Sequence, residues 1–181
     1  MTTAIELPHV SFYLGKTPDH RGRHLAEIRQ LDDDDLESVH DYIQWMFPLP
    51  EVGMNPYAPL LDVATIREFR ARPELQHEVR KSFLRMLIFY GLTENHDDGK
   101  IELAPAFEQK AHNWLRPFNH NYLRITRILR SLRLFGLEHE AGTFFQCLAK
   151  IYEHEESLPD PRIPKRTFWF WESAMNEALE V

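Results

Sequence analysis

The stretch of sequence that decides the fold is residues 119–136, NHNYLRITRILRSLRLFG. Its apolar residues recur every three or four positions, which is the spacing of one face of an α-helix. They are Ile125, Ile128, Leu129, Leu132 and Phe135. Four arginines lie on the opposite side of the predicted helix: Arg124, Arg127, Arg130 and Arg133. Asn119 or Asn121 is predicted to cap its start, and Gly136 to end it.

The rest of the chain predicts further helices and little or no sheet. Asp62 caps a predicted helix that runs to about Arg72, and Pro73 starts another that reaches Tyr90. The end of the second, residues 83–90, is apolar almost all round, which indicates a central buried helix. The remaining predicted elements are helices over 20–30, 106–115 and 138–155, a last helix with the stripe Phe168, Trp171, Met175 and Leu179, and an extended segment over 5–17.

One long helix is predicted from Asp32 to Phe47. The acidic residues 32–35 suit the start of a helix, because its dipole favours negative charge there. Its apolar stripe consists of Leu36, Val39, Ile43, Met46 and Phe47. Trp45 is predicted to project from the side opposite Leu36, so this helix is either packed on two sides or offers an aromatic ring to a partner.

These elements predict an all-α protein. We expect a single compact bundle of six to seven helices with a central buried helix and a short extended N-terminal segment. Residues 1–157 form the predicted helical domain, and residues 158–181 a Pro-rich linker and a C-terminal helix packed on that domain. A chain of 181 residues is long enough to bury one sizeable core.

Charge and cysteine content suggest the setting of the protein. The net charge is −7, yet residues 109–137 hold six basic residues and no acidic one. The single cysteine, Cys147, fits a reducing compartment. No apolar run reaches the roughly 20 residues that span a bilayer, and no signal-peptide pattern opens the chain. These features predict a cytoplasmic location without a transmembrane segment.

Motifs with known chemistry are missing from the sequence. There is no zinc-ligand spacing, no glycine-rich phosphate loop, no nucleophile elbow and no kinase motif. The sequence therefore favours a binding module over an enzyme, with no cofactor and no metal.

Two groups of polar residues are candidate ligand contacts. The first is His40, Asp41 and Gln44, with Trp45 beside them. His40 suits either a hydrogen-bonded residue at the edge of the core or a ligand contact and general base. The second group is Asn119, His120, Asn121, Arg124 and Arg127.

The second group also has two interpretations. It suits helix capping with a solvated arginine face, or an anion site at a helix N-terminus. A phosphate or a carboxylate would fit that site, and nucleic acid is disfavoured because the protein is acidic overall. Trp169 and Phe170 flank the stripe of the last helix and are either core or the surface for a protein partner or a homodimer.

Three segments carry a resemblance to a known family. They are residues 36–49, LESVHDYIQWMFPL, residues 86–91, MLIFYG, and residues 120–132, HNYLRITRILRSL. Their order and content resemble the conserved region of the opioid growth factor receptor family. The resemblance implies binding of an opioid pentapeptide, the growth-inhibiting enkephalin, by a protein that is not a seven-helix membrane receptor. It also allows a nuclear or membrane-associated location.

Three hypotheses for function follow. The first is a domain that binds a peptide or a small anionic ligand through both polar groups, with Arg124 taking a carboxylate and Trp45 an aromatic ring. The second is an enzyme acting on a phosphorylated or carboxylated small molecule, with His40 or His120 as acid or base. The third is a protein-interaction module that uses the arginine face of helix 121–135.

Overall fold

A computed structural model of the chain describes residues 7–179. Within that range the polypeptide forms ten helices and one short β-hairpin. In chain order they are α1 (Pro8–Tyr13), α2 (Leu25–Gln30), α3 (Asp33–Ser38), α4 (Ile43–Met46), α5 (Val63–Ala71), α6 (Pro73–Tyr90), β1 (Leu92–Glu94), β2 (Ile101–Leu103), α7 (Phe107–Trp114), α8 (Asn121–Leu134), α9 (Glu138–Glu156) and α10 (Lys165–Asn176).

Several helices begin and end at the residues that their sequence signals predicted. The Asp62 side chain accepts a hydrogen bond from the Thr65 amide at the start of α5. Pro73 occupies the first turn of α6, and Gly91 ends that helix in the left-handed conformation, with φ +75°. Adding a side chain to Gly91 would crowd the Phe107 backbone at 2.9 Å, so glycine is required there on both counts.

The core lies around α6 and α8. The five apolar residues of the predicted α8 stripe are buried, as are most apolar residues of α6. Ile88 is an exception on α6, since it is 55% exposed, so one edge of this helix faces solvent. The strands β1 and β2 pair antiparallel, with Leu92 opposite Leu103. This hairpin connects the end of α6 to the start of α7.

The prediction of an extended N-terminal segment was wrong for residues 8–13, which form α1; residues 5 and 6 lie outside the described range. Pro8 supplies the first turn, where a missing N–H does no harm. Tertiary contacts fix the helix: the His9 ring contacts the Pro59 carbonyl at 2.8 Å, and the Tyr13 hydroxyl donates to the Met46 carbonyl. The helix predicted over 20–30 is also shorter, because its regular part begins at Leu25.

The long helix predicted over 32–47 is divided into α3 and α4. Asp32 caps α3 as expected, but Val39 has extended backbone angles, φ −88° and ψ 125°. Where α3 ends, the Leu36 and Val39 carbonyls accept hydrogen bonds from the Arg124 guanidinium of α8. Residues 7–179 thus form ten helices and not the six to seven predicted, and this division and α1 account for two of the additional helices.

The last helix packs against α8 and α9. Trp171 is fully buried, and its indole N–H donates to the Tyr122 carbonyl at 3.2 Å. Phe168 stacks on Tyr152, with ring centroids 4.2 Å apart. This docking places α10 alongside the start of α8, where an open groove remains between them.

Candidate functional site

The turn before α8 is held by Asn119. Its side-chain amide donates to the Asn113 carbonyl at 3.0 Å, and its carbonyl oxygen accepts from the Asn121 amide at 2.8 Å. Asn119 therefore joins the end of α7 to the start of α8. The N-cap position of α8 is occupied by His120, whose side chain makes no capping hydrogen bond, so the prediction of Asn119 or Asn121 as the cap was wrong. The next two amides, of Tyr122 and Leu123, bond to the carbonyls of Asn119 and His120. Few N–H groups are left there to receive an anion.

Arg124 is a buried structural residue. It is 4% exposed, and its donors reach the Leu36 carbonyl at 2.8 Å, the Val39 carbonyl at 2.9 Å and the Asn121 side chain at 3.1 Å. Its guanidinium also lies over the Tyr42 ring. The placement predicted from helical spacing, on a solvated face, was wrong, because the chain after α3 folds over this position. Arg124 consequently presents no exposed charge to a ligand.

Four of the predicted site residues meet in one cluster with Glu37: His40, His120, Asn121 and Arg124. The rings of His40 and His120 lie 4.7 Å apart between centroids. Glu37 lies beside them: its carboxylate accepts from the Asn121 side chain at 2.8 Å and lies 3.4 Å from His120 Nε2. Burial, followed by the nearby Arg124 charge, lowers the pKa of His120. His120 is therefore expected to be mainly neutral at pH 7.

Asp41 faces away from this cluster. It accepts hydrogen bonds from Arg21 at 2.9 Å and Arg23 at 2.7 Å. Burial alone would raise the pKa of Asp41, but these two arginines outweigh it and lower the pKa. Asp41 therefore forms an ion-pair network with the segment before α2.

Gln44 and Trp45 also face away from His120. The Gln44 side-chain oxygen accepts from the Asn55 amide at 2.6 Å, which anchors the loop between α4 and α5. Trp45 is 7% exposed, and its indole N–H donates to His20 at 3.2 Å. Leu36 and Trp45 are both buried, as expected if this segment is packed on two sides, although it is divided at Val39 and is not one helix.

The other arginines of α8 are engaged within the protein. Arg127 donates to the Phe47 carbonyl at 3.2 Å. Arg130 pairs with Glu51 and, at 2.8 Å, with Glu177. Arg133 donates to carbonyls at the end of α10, including that of Ala174 at 2.6 Å, and a cation suits the C-terminal end of a helix. The arginine face thus joins α8 to its neighbours.

An open groove of about 490 Å³ lies between the start of α8 and α10. Three apolar side chains in it are exposed: Phe118 by 92%, Leu123 by 69% and Phe170 by 36%. The full lining consists of Phe118, Asn119, His120, Tyr122, Leu123, Thr126, Pro164, Arg166, Thr167 and Phe170. Trp169 is 58% exposed, and its ring lies 5.1 Å from that of Phe170.

The backbone of Phe118 is strained. Its φ is +59°, and among non-glycine residues with an assigned conformation in the 7–179 range it alone has a positive φ. A bulky side chain rarely adopts this conformation, and such strain tends to mark a functional constraint. Here it presents an aromatic ring to solvent at the mouth of the groove.

The groove unites some predicted site residues and omits others. Asn119, His120 and Phe170 line it, and Trp169 lies next to Phe170. Sequence reasoning missed Phe118, Leu123 and Arg166. Leu123 did carry a signal, because it is an apolar residue of α8 that lies outside the buried stripe.

Two further features of residues 7–179 concern metal ions and membranes. No group of three His, Cys, Asp or Glu side chains there is arranged to hold a metal ion. None of the helices in that range combines the length and the apolar character needed to cross a bilayer.

The sequence matches the family described as the opioid growth factor receptor (OGFr) conserved region over residues 4–170. It is 38% identical over 130 residues to the opioid growth factor receptor of Mus musculus, covering 71% of this chain and 20% of that protein. It is 37% identical over 163 residues to the opioid growth factor receptor-like protein 1 of Xenopus tropicalis, covering 88% of this chain and 31% of that protein.

The similarity to the human protein is of the same order. The chain is 35% identical over 166 residues to the opioid growth factor receptor of Homo sapiens, which covers 88% of this chain and 23% of that protein. The chain thus spans between about a fifth and a third of the length of these relatives. No solved structure matches it.

Proposed function

The chain belongs to the opioid growth factor receptor family, and from that premise we propose that it binds a short peptide in the groove between α8 and α10. The observation that carries this proposal is the exposure of Phe118, Leu123 and Phe170 around one open groove. Apolar side chains gathered in this way on a folded domain favour a binding surface, because leaving them in water is unfavourable.

The size and lining of the groove suit a peptide. Its volume of about 490 Å³ falls in the range typical of small-ligand sites. Aromatic rings such as Phe118 and Phe170 offer large, rigid contact areas to an apolar side chain. Asn119, His120 and Thr167 add polar groups that can bond to a peptide backbone.

The proposed site differs from the one expected from sequence. Arg124 and Trp45 are buried, so neither serves as the ligand contact in this proposal. His120 and Asn119 remain contacts because they line the groove, and the His40 ring lies 4.7 Å from that of His120. Trp169 would contact the margin of a bound peptide.

Isothermal titration calorimetry tests the proposal. It measures binding of the opioid pentapeptide and of scrambled pentapeptides with the same composition. Leu123→Ser is expected to weaken binding about tenfold, because burial of one leucine contact is worth roughly 1–2 kcal/mol. Leu103→Ser is the matched control, since Leu103 is a 52% exposed leucine on β2 outside the groove.

Two results would contradict the proposal. One is the absence of binding of every pentapeptide to the wild-type protein up to millimolar concentration. The other is an equal loss of affinity in the Leu123→Ser and Leu103→Ser variants, which would place the binding surface elsewhere.

A further inference from the structure

Arg166 lies at the edge of the groove and has no ion-pair partner among the described residues. It is exposed, lies in the first turn of α10 and lines the groove. No Asp or Glu of residues 7–179 lies within ion-pair distance of it. Its neighbour Lys165, by contrast, lies 3.4 Å from Glu156.

The position of the Arg166 guanidinium is restrained by a ring. It lies over Phe170, with its central carbon 5.6 Å from the ring centroid. A cation held on an aromatic face keeps its N–H donors directed outward and loses less freedom when it binds an anion.

The remaining lining does not neutralise this charge. Among the described residues, ten line the groove and none of these is acidic, and His120 is the other titratable base in that set. Burial lowers the pKa of His120, which leaves Arg166 as the charged donor at neutral pH. A peptide bound over the apolar side chains of the groove would exclude water from the contact with Arg166 and so strengthen the attraction between the two charges.

We propose that the groove takes the free C-terminal end of its peptide, with the terminal carboxylate on Arg166 and an apolar last side chain against Phe170, Leu123 and Phe118. This inference rests on the proposed function, because it specifies the ligand of the same groove. A C-terminal residue carries its carboxylate and its side chain on one Cα. That arrangement fits a guanidinium lying 5.6 Å from an aromatic ring at the edge of an apolar groove.

An arginine binds a carboxylate through two parallel N–H donors, and this pairing is among the stronger hydrogen-bonded contacts in proteins. An internal Asp or Glu side chain would place the anion on a different residue from the apolar anchor. The peptide backbone would then have to continue past Arg166 in both directions.

Two versions of one pentapeptide, a free acid and a C-terminal amide, test the inference by calorimetric titration. The wild-type protein is expected to bind the acid about 10–100-fold more tightly than the amide, the range for a charge-assisted contact. In Arg166→Gln this preference is expected to fall to about twofold or less. Arg67→Gln is the control, since Arg67 is exposed on α5, lies outside the groove and has no ion-pair partner within residues 7–179.

Each contrary outcome has a distinct meaning. Equal binding of acid and amide by the wild-type protein would overturn the carboxylate inference and leave peptide binding in the groove intact. An acid preference that persists in Arg166→Gln would overturn the role of Arg166. If the free acid and an amidated peptide with an added Asp bind equally well, a side-chain carboxylate is sufficient. That result would overturn the inference that the groove requires a terminal carboxylate. Binding of neither version would overturn the proposed function itself.

Discussion

Replacing Arg124 with alanine is expected to destabilise the fold by about 3–5 kcal/mol. The residue is 4% exposed and donates to two backbone carbonyls after α3 and to the Asn121 side chain. Sequence spacing alone would place Arg124 on a solvated face, where the same substitution costs little. The two interpretations therefore predict stability changes of different size.

The magnitude follows from the bonds that would be lost. A hydrogen bond to a charged group contributes about 1.5–3 kcal/mol, and an acceptor left buried without a partner costs about 1–3 kcal/mol. Arg124 makes three such bonds, but water entering the space of the lost side chain would satisfy part of the demand. The expected loss is thus below the plain sum and still a large share of the roughly 5–15 kcal/mol that stabilises a domain.

Urea unfolding followed by circular dichroism measures this loss. With a slope of about 2 kcal/mol per molar urea, the midpoint should fall by about 1.5–2.5 M. Arg67→Ala is the control, because Arg67 is exposed and should change stability by less than about 0.5 kcal/mol. Arg124→Lys keeps a charge but not the planar fork, and it should fall between wild type and alanine. An alanine variant within about 1 kcal/mol of wild type, with an unchanged slope, would refute the reasoning.

Three further substitutions have expected outcomes. Asn55→Ala should lower stability by about 1–3 kcal/mol and expose the loop between α4 and α5 to proteolysis, because the Asn55 side chain bonds to the Asp41 carbonyl and the Tyr57 amide. Glu155→Gln should cost about 1–3 kcal/mol at neutral pH. In the wild-type protein, hydrogen bonds from Arg162 hold the pKa of Glu155 below its ordinary value of 4.5. The extra stability of the wild type over the variant is therefore complete above pH 4.5 and is lost as the pH falls through the lowered pKa. Urea unfolding at several pH values measures this difference in stability. Phe118→Asn should raise the thermal midpoint by relieving about 1 kcal/mol of left-handed strain, while calorimetry shows weaker peptide binding.

Much of the helical scaffold could be predicted because its signals are local. Asp62 and Gly91 act within one turn of their own helices, and the apolar stripe of α8 lies on a single continuous helix. The end of α3 could not be predicted in this way. The end of α3 depends on Arg124, which is 88 residues away from Leu36 in sequence. The spacing of apolar residues over 32–47 carries no information about that contact.

In the candidate site, too, single residues could be identified from the sequence but their contacts could not. His40 and His120 were identifiable as residue types, but their contact depends on how the turn after α3 folds against α8. The groove depends on the docking of α10 through Trp171, so its two walls come from distant parts of the chain. The sequence offered a hint on each wall, since Leu123 lies outside the buried stripe of α8 and Phe170 flanks the stripe of α10.

An NMR titration of the isotope-labelled protein with the free-acid pentapeptide tests the central claim most directly. If the groove between α8 and α10 binds the peptide, the largest amide shifts should fall on Leu123, Thr126, Thr167 and Phe170, which line it. Largest shifts around Trp45 and the loop between α4 and α5, or no shifts at millimolar peptide, would contradict the account.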